Sequence, residues 1–98
     1  MNTNNKKNIV IKIGTTSIIK NDKVDITLLK SLAELIIENK NKFNFVIVTS
    51  GAVGLGATKL NYKSRPKSLK RLQVASAVGQ IELINQYEKI FKDKKMNI

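Results

Sequence analysis

The fold is decided by residues 9–49, which read IVIKIGTTSIIKNDKVDITLLKSLAELIIENKNKFNFVIVT. This stretch opens and closes with β-branched runs at residues 9–13 and 43–49. Between them, apolar residues recur at helical spacing after Asp25, a residue type that favours helix N-caps, and the helical pattern ends near Asn39. A strand, a helix and a strand of this length form a βαβ unit, whose two strands are parallel. The stretch therefore predicts an α/β fold with a mainly parallel sheet.

The rest of the chain adds helices to this unit. The strand at residues 43–49 has apolar side chains on both faces, so we expect it to be buried. Turn residues and periodicity predict five further features: a frayed N-terminus at residues 2–7, a surface turn at 21–23, a short helix from Gly56 to about Leu60, a basic loop at 61–67 and a long helix from about Ser68. The predicted order is βαβα.

Length and residue types exclude several classes of protein. The chain has 98 residues, enough for one domain, with no cysteine and no histidine. Disulfide frameworks, cysteine nucleophiles, histidine bases and the usual zinc sites are therefore excluded. The apolar stretches are far shorter than the roughly 20 residues of a membrane-spanning helix. Any chemistry must come from lysine, carboxylates, hydroxyls and backbone amides.

The net charge of +11 points to an anionic partner, but its composition argues against nucleic acid. Lysine supplies 16 of the 18 basic residues, whereas arginine, the usual choice for bidentate recognition, appears only at Arg65 and Arg71. The densest patch, residues 59–71, contains six bases and no acid, with Tyr62 as its one aromatic. A solvated loop explains this patch better than a stacking platform for bases does.

The N-terminal region does not fit a signal peptide. Two lysines precede an apolar segment, but the segment is short and Lys12 interrupts it. We therefore expect a cytoplasmic protein that does not associate with membranes.

Two loops rich in glycine and hydroxyl residues follow the two predicted strands. Residues 14–17 read Gly-Thr-Thr-Ser, and residues 50–56 read Ser-Gly-Ala-Val-Gly-Leu-Gly. Because the strands are parallel, both loops lie at the carboxyl edge of the sheet, where open α/β sheets bind ligands. The second loop is not a P-loop, since Ala57 replaces the phosphate-binding lysine. It is either a turn whose amides and Ser50 approach an anion or a tight packing turn, and its spacing fits both equally well.

Lys12 also has two interpretations. It lies inside an apolar strand, two residues before Gly14, and by itself it is best explained as an outward-facing residue of an edge strand. Its position before the Thr-Thr-Ser turn favours the other interpretation, in which the ammonium group neutralises a transferring phosphoryl group.

Four motifs, in this order and spacing, resemble the N-terminal part of the glutamate 5-kinase branch of the amino-acid kinase family. They are VIKIGTTS at residues 10–17, VIVTSGAVGLG at 46–56, RPKSL at 65–69 and ASAVGQ at 75–80. The resemblance extends over nearly the whole chain from Ile9, and Thr-Ser-Gly-Ala-Val-Gly is its most specific element. It implies a three-layer amino-acid kinase-like fold, present here as an N-terminal βαβα fragment.

The resemblance also implies an activity and a site. The activity is ATP-dependent phosphorylation of the γ-carboxylate of L-glutamate in proline biosynthesis, with Mg²⁺ accompanying the nucleotide. By this likeness Lys12 contacts the transferring phosphate as the catalytic lysine. The remaining implied site residues are Gly14, Thr15 and Thr16 for the ATP phosphates, and Ser50, Gly51 and Ala52 for glutamate.

The chain departs from the family in length, because family members are more than twice as long. We therefore expect residues 1–98 to be the first part of one truncated kinase domain, with no second domain and an incomplete site. A sheet edge and an apolar helix face should be exposed. A complementing C-terminal polypeptide or a homo-oligomer could complete the fold. Two alternatives remain at this point: a small basic module that binds polyanions or nucleic acid, and a nonfunctional truncated product.

Overall fold

The computed structural model describes residues 5–98, so the expectation of fraying at residues 2–4 falls outside the described part of the chain. In chain order the elements are β1 (Lys7–Ile13), α1 (Thr15–Ile18), β2 (Ile19–Lys20), β3 (Lys23–Val24), α2 (Ile26–Asn39), β4 (Phe43–Thr49), α3 (Ala52–Lys59) and α4 (Leu69–Asp93). The fold is α/β, as predicted.

Strands β1 and β4 pair in parallel, which confirms the βαβ prediction. The register aligns Lys7 with Phe43 and Ile13 with Thr49, so the two strands end together. Because β1 begins at Lys7, the predicted fraying is wrong at that residue.

The prediction that β4 is buried is wrong for one of its faces. The side chains of Val46 and Val48 are 50% and 47% exposed, and Val10 of β1 shares their open face. Their neighbours Phe45 and Ile47 point the other way and pack on the core. Among the described elements, the helices cover only this second face. Exposed apolar surface was expected at a sheet edge and on a helix face, whereas these three valines expose a face of the sheet.

Helix α2 begins and packs as its sequence predicts. The Asp25 side chain accepts a hydrogen bond of 3.1 Å from the Leu28 N–H, which caps the helix. The side chains of Leu29 and Ile36 are buried in the core. The core cluster joins one face of the sheet with α2 and the second half of α4; its buried members are Ile13, Ile18, Leu29, Leu32, Ala33, Ile36, Leu55, Leu83, Tyr87, Ile90 and Phe91.

The surface turn predicted at residues 21–23 is confirmed as the tip of a small hairpin. Strands β2 and β3 pair antiparallel, and Asn21 and Asp22 adopt positive φ values of 53° and 63°. Asparagine and aspartate tolerate this backbone region better than other side chains do. Each strand has only two residues, too few for a periodic signal in the sequence.

The helix predicted to start after Gly56 starts earlier, at Ala52. Gly54 and Gly56 therefore lie inside α3 and not in a loop. The predicted long helix α4 is confirmed, since Ser68 caps it by accepting a 3.2 Å bond from the Arg71 N–H. Within residues 5–98, no helix is both long and apolar enough to cross a membrane.

Candidate functional site

The two predicted loops are in direct contact at the carboxyl edge of the sheet. The Ser50 N–H donates a 3.0 Å hydrogen bond to the carbonyl oxygen of Ile13, the last residue of β1. A Cβ added to Gly51 would lie 3.0 Å from Cγ1 of Ile19 and 3.4 Å from Cγ2 of Ile18. The end of β4 therefore rests on the segment that follows β1, and the two loops form one surface, which we call the loop edge (residues 14–17 and 50–52).

The first half of the loop edge is a single helical turn. The N–H groups of Ser17 and Ile18 both donate to the Gly14 carbonyl, at 3.1 and 3.2 Å. The Ser17 amide is therefore not free to bind a ligand. The N–H groups of Thr15 and Thr16 have no acceptor within the described chain, as expected for the first residues of a helical turn. Gly14 and the side chains of Thr15, Thr16 and Ser17 are exposed.

The second half of the loop edge is the Ser50–Gly51 turn, which leads into α3. Gly51 is the N-cap of α3 and has a φ of 108°, in the left-handed region that favours glycine. Its carbonyl accepts from the Leu55 N–H at 3.1 Å, whereas the N–H groups of Gly51 and Ala52 have no protein acceptor among residues 5–98. Unpartnered amides at the start of a helix attract anions.

Lys12 lies next to the loop edge on the open face of the sheet. It pairs in register with Val48 and precedes Ile13, the residue whose carbonyl holds Ser50. Its side chain is exposed and makes no ion pair within the described chain. This position agrees with the outward-facing interpretation. It also leaves the ammonium group free for an anion held at the neighbouring edge.

The packing interpretation of the glycine-rich run is correct for Gly56. A Cβ there would lie 1.7 Å from the Ala75 carbonyl oxygen, and a Cβ on Gly79 would lie 1.6 Å from that of Ala52. These two glycines let α3 and α4 approach backbone to backbone. Different parts of the glycine-rich run therefore have different roles. The turn at Gly51 has free amides, and Gly56 makes a packing contact.

Sequence reasoning missed one polar contact behind the loop edge. The Tyr87 hydroxyl donates a 2.8 Å hydrogen bond to Oγ1 of Thr49, the last residue of β4. Tyr87 is 3% exposed, and burial raises the pKa of its hydroxyl above the usual 10.0. Its position on the apolar stripe of α4 gave a packing signal only, since the pairing joins residues 38 positions apart.

The loop edge does not supply a metal site from its own side chains. Residues 12–17 and 50–52 contain no carboxylate, which is the ligand type that Mg²⁺ prefers. Across the described residues, no group of three or more acidic, histidine or cysteine side chains could hold a metal ion. The implied Mg²⁺ thus does not fit a site built by this part of the chain, and no step is derived through it.

The basic patch at residues 59–71 contains none of the loop-edge residues and is partly neutralised. Lys59 forms a 3.1 Å ion pair with Glu82, and hydrogen bonds from Gln86 and Lys59 lower the pKa of the Glu82 carboxyl. The Arg71 guanidinium lies 5.9 Å from the centre of the Tyr62 ring, on its face. The one aromatic of the basic loop therefore already has a cationic partner, which disfavours base stacking.

Comparison with known proteins agrees with the resemblance seen in the sequence. The profile of the amino acid kinase family matches residues 7–98. A glutamate 5-kinase of Prochlorococcus marinus (strain MIT 9312) is 44% identical over 97 residues, covering 94% of this chain and 26% of that protein. The glutamate 5-kinase of Lactococcus lactis subsp. lactis (strain IL1403) is 38% identical over 88 residues, covering 88% of this chain and 33% of the relative.

A third relative gives the same picture. The glutamate 5-kinase of Streptococcus uberis (strain ATCC BAA-854 / 0140J) is 37% identical over 94 residues, covering 94% of this chain and 35% of its own length. The chain spans about a quarter to a third of the length of the curated relatives it matches.

Proposed function

This chain belongs to the amino acid kinase family, and we propose that it supplies the phosphate and glutamate loops of a glutamate 5-kinase. One observation carries the proposal. The Ser50 N–H is bonded to the Ile13 carbonyl at 3.0 Å, which joins two sets of unpartnered amides into one edge. A γ-phosphoryl group passing between two anionic substrates needs such an edge, because donors must surround it from more than one side.

The proposed reaction transfers the γ-phosphoryl group of ATP to the γ-carboxylate of L-glutamate. A carboxylate oxygen forms a bond to phosphorus while the bond from phosphorus to the departing ADP oxygen breaks. The products are an acyl phosphate and ADP. Negative charge on the transferring group is the main obstacle, so positioned cations and N–H donors lower the barrier more than a base would.

Each predicted site residue has a role in this proposal. Lys12 is the cation that neutralises the transferring phosphoryl group from the open face of the sheet. The amides of Gly14, Thr15 and Thr16 bind ATP phosphates, and the turn formed by Ser50, Gly51 and Ala52 binds a carboxylate of glutamate. The absence of acidic side chains from this edge supports the assignment, because an anion there meets no repulsion.

The proposal includes the surroundings of the site. Residues 1–98 act as the first part of an amino-acid kinase domain, and further polypeptide, on the same chain or another, completes the site. Mg²⁺ arrives with the nucleotide. In this proposal the reaction is the first committed step of proline biosynthesis and takes place in the cytoplasm.

An assay for acyl phosphate tests the proposal. The chain is incubated with ATP and L-glutamate, with and without a polypeptide comprising the rest of the Prochlorococcus marinus relative, and acyl phosphate is trapped with hydroxylamine. We expect hydroxamate only in the mixture. We also expect Lys12→Ala to reduce its formation at least about 100-fold, as for loss of a donor to a transition-state oxyanion.

Lys30→Ala is the matched control. Lys30 is an exposed lysine of α2, outside the loop edge, so its replacement removes the same charge without removing a proposed phosphate contact. Equal losses in the two variants would reject Lys12 as the catalytic lysine. Activity of the chain alone would reject the incomplete site.

A further inference from the structure

Two consecutive hydrogen bonds connect α4 to the Ser50–Gly51 turn. Tyr87 Oη donates to Thr49 Oγ1 over 2.8 Å, and Thr49 Oγ1 donates to the Ser50 carbonyl oxygen over 3.3 Å. A threonine hydroxyl has one proton, so a Thr49 that accepts from Tyr87 keeps its own proton for Ser50. The direction of both bonds is therefore fixed, from the tyrosine to the turn.

The Ser50 carbonyl, which accepts the second of these hydrogen bonds, determines where the Gly51 N–H points. The described chain has no cis peptide bond, and in a planar trans peptide the N–H points opposite to the C=O. When Thr49 holds the Ser50 carbonyl, the Gly51 N–H is turned away from Thr49. This amide has no acceptor within residues 5–98.

Tyr87 is suited to hold this arrangement because it does not move freely. Its ring is 3% exposed and belongs to the core cluster together with Leu83 and Phe91 of the same helix. Its hydroxyl faces Thr49, at the edge of that cluster. Since burial raises the pKa of the hydroxyl, Tyr87 stays protonated and remains a donor throughout the neutral range.

We propose that Tyr87 and Thr49 are positioning residues that orient the Ser50–Gly51 peptide, so that the Gly51 N–H is presented to an anionic group of the substrate. Neither residue need touch the ligand. The ligand part of this inference rests on the proposed function, in which the turn binds a glutamate carboxylate.

Nuclear magnetic resonance on the full ¹⁵N-labelled chain tests the proposal. Tyr87→Phe removes only the hydroxyl, and Thr49→Val removes the next hydroxyl while keeping the side-chain shape. We expect both to shift the Gly51 amide resonance, with the Gly56 and Gly79 resonances unchanged. In titrations with L-glutamate, both variants should raise the dissociation constant about three- to tenfold, which is the effect of one lost hydrogen bond.

Two controls separate positioning from a general structural effect. Tyr62→Phe removes the hydroxyl of the tyrosine in the basic loop and should leave Gly51 unchanged. Thr49→Ser keeps a hydroxyl at the required place and should retain the wild-type Gly51 resonance and affinity. If Tyr87→Phe fails to fold, the comparison of Thr49→Val with Thr49→Ser decides the question.

The possible results distinguish this proposal from the proposed function. An unchanged Gly51 resonance in both hydroxyl-deletion variants overturns the positioning role, and so does an equal shift in Thr49→Ser and Thr49→Val. If the wild-type chain does not respond to glutamate but Gly51 shifts as expected, the turn is positioned as proposed and its assignment to glutamate is rejected.

Discussion

Gly56 lies where α3 packs on α4, and a Cβ there would lie 1.7 Å from the Ala75 carbonyl oxygen. Gly51 begins the same glycine-rich run but lies at the end of the sheet, with a φ of 108° and an N–H without a protein acceptor. Gly56 permits a close contact between helices, and Gly51 permits a turn that exposes amides. A run that looks like one motif in sequence thus serves two physical purposes.

The largest expected effect comes from closing the space at the helix contact. Gly56→Ala and Gly79→Ala should each lower the free energy of unfolding by about 1–3 kcal/mol or more, because α3 and α4 must separate to admit a methyl group against backbone. Urea unfolding followed by circular dichroism measures the change. A loss below about 0.5 kcal/mol at both positions would show that the helices do not pack as closely as described.

Gly54→Ala is the matched control for this substitution. Gly54 is in α3, and a Cβ there would have no atom within 4 Å beyond its chain neighbours and the backbone of its own helix. Because alanine favours helix more than glycine does, we expect stability to stay equal or rise by up to about 1 kcal/mol.

Gly51→Ala should have an intermediate effect on stability and a large effect on the turn. Alanine at a φ of 108° is strained, which costs on the order of 1–3 kcal/mol, and its Cβ would lie 3.0 Å from Ile19 Cγ1. Urea unfolding measures the loss of stability, and the amide resonances of Ser50 and Ala52 report the change in the turn. Wild-type resonances in a fully stable variant would contradict the role assigned to Gly51.

Unfolding at alkaline pH tests the burial of the Tyr87 hydroxyl, which is bonded to Thr49 behind the turn. A pKa raised by folding means that the protonated Tyr87 is favoured in the folded state, so its contribution is complete below pH 10.0 and is lost as pH rises through the folded-state pKa. We expect wild-type stability to fall more steeply than that of Tyr87→Phe above pH 10. The comparison with Tyr87→Phe cancels the titration of lysines, which both proteins share. Parallel curves would mean that Tyr87 is not buried as described.

The smallest effect is expected at the ion pair beside the basic loop. Glu82→Gln should lower stability by less than about 1 kcal/mol, since the Lys59–Glu82 pair is partly exposed and screened. The folded-state pKa of Glu82 is lowered, so its contribution is present above the ordinary value of 4.5 and is lost as pH falls through the folded-state value. Unfolding at neutral and acidic pH should differ between wild type and Glu82→Gln only at neutral pH.

The βαβ unit could be predicted because its signals are local. Asp25 caps α2 as expected, and the β-branched runs form the paired strands β1 and β4. The burial of β4 could not be predicted from its apolar pattern, because burial depends on what covers each face. The sequence predicts the start of α3 too late, since glycine disfavours helix locally while the packing of Gly56 on Ala75 favours it.

The candidate site was predictable only in part. Parallel strands place residues 14–17 and 50–52 at one edge, and the Ser50 to Ile13 hydrogen bond bears this out. The bond between Tyr87 and Thr49 could not be found, because it depends on how α4 lies across the end of the sheet. A buried tyrosine on an apolar helix face gives the same sequence pattern whether or not its hydroxyl meets a partner.

In the proposed function, anions bind the amides of the loop edge and not the basic patch at residues 59–71. A titration of the ¹⁵N-labelled chain with ATP at physiological ionic strength tests it directly. We expect amide shifts that are concentrated at Thr15, Thr16, Gly51 and Ala52 and are strongly reduced in Lys12→Ala. Shifts confined to residues 59–71, and unaffected by Lys12→Ala, would contradict the claim and favour a basic polyanion-binding module.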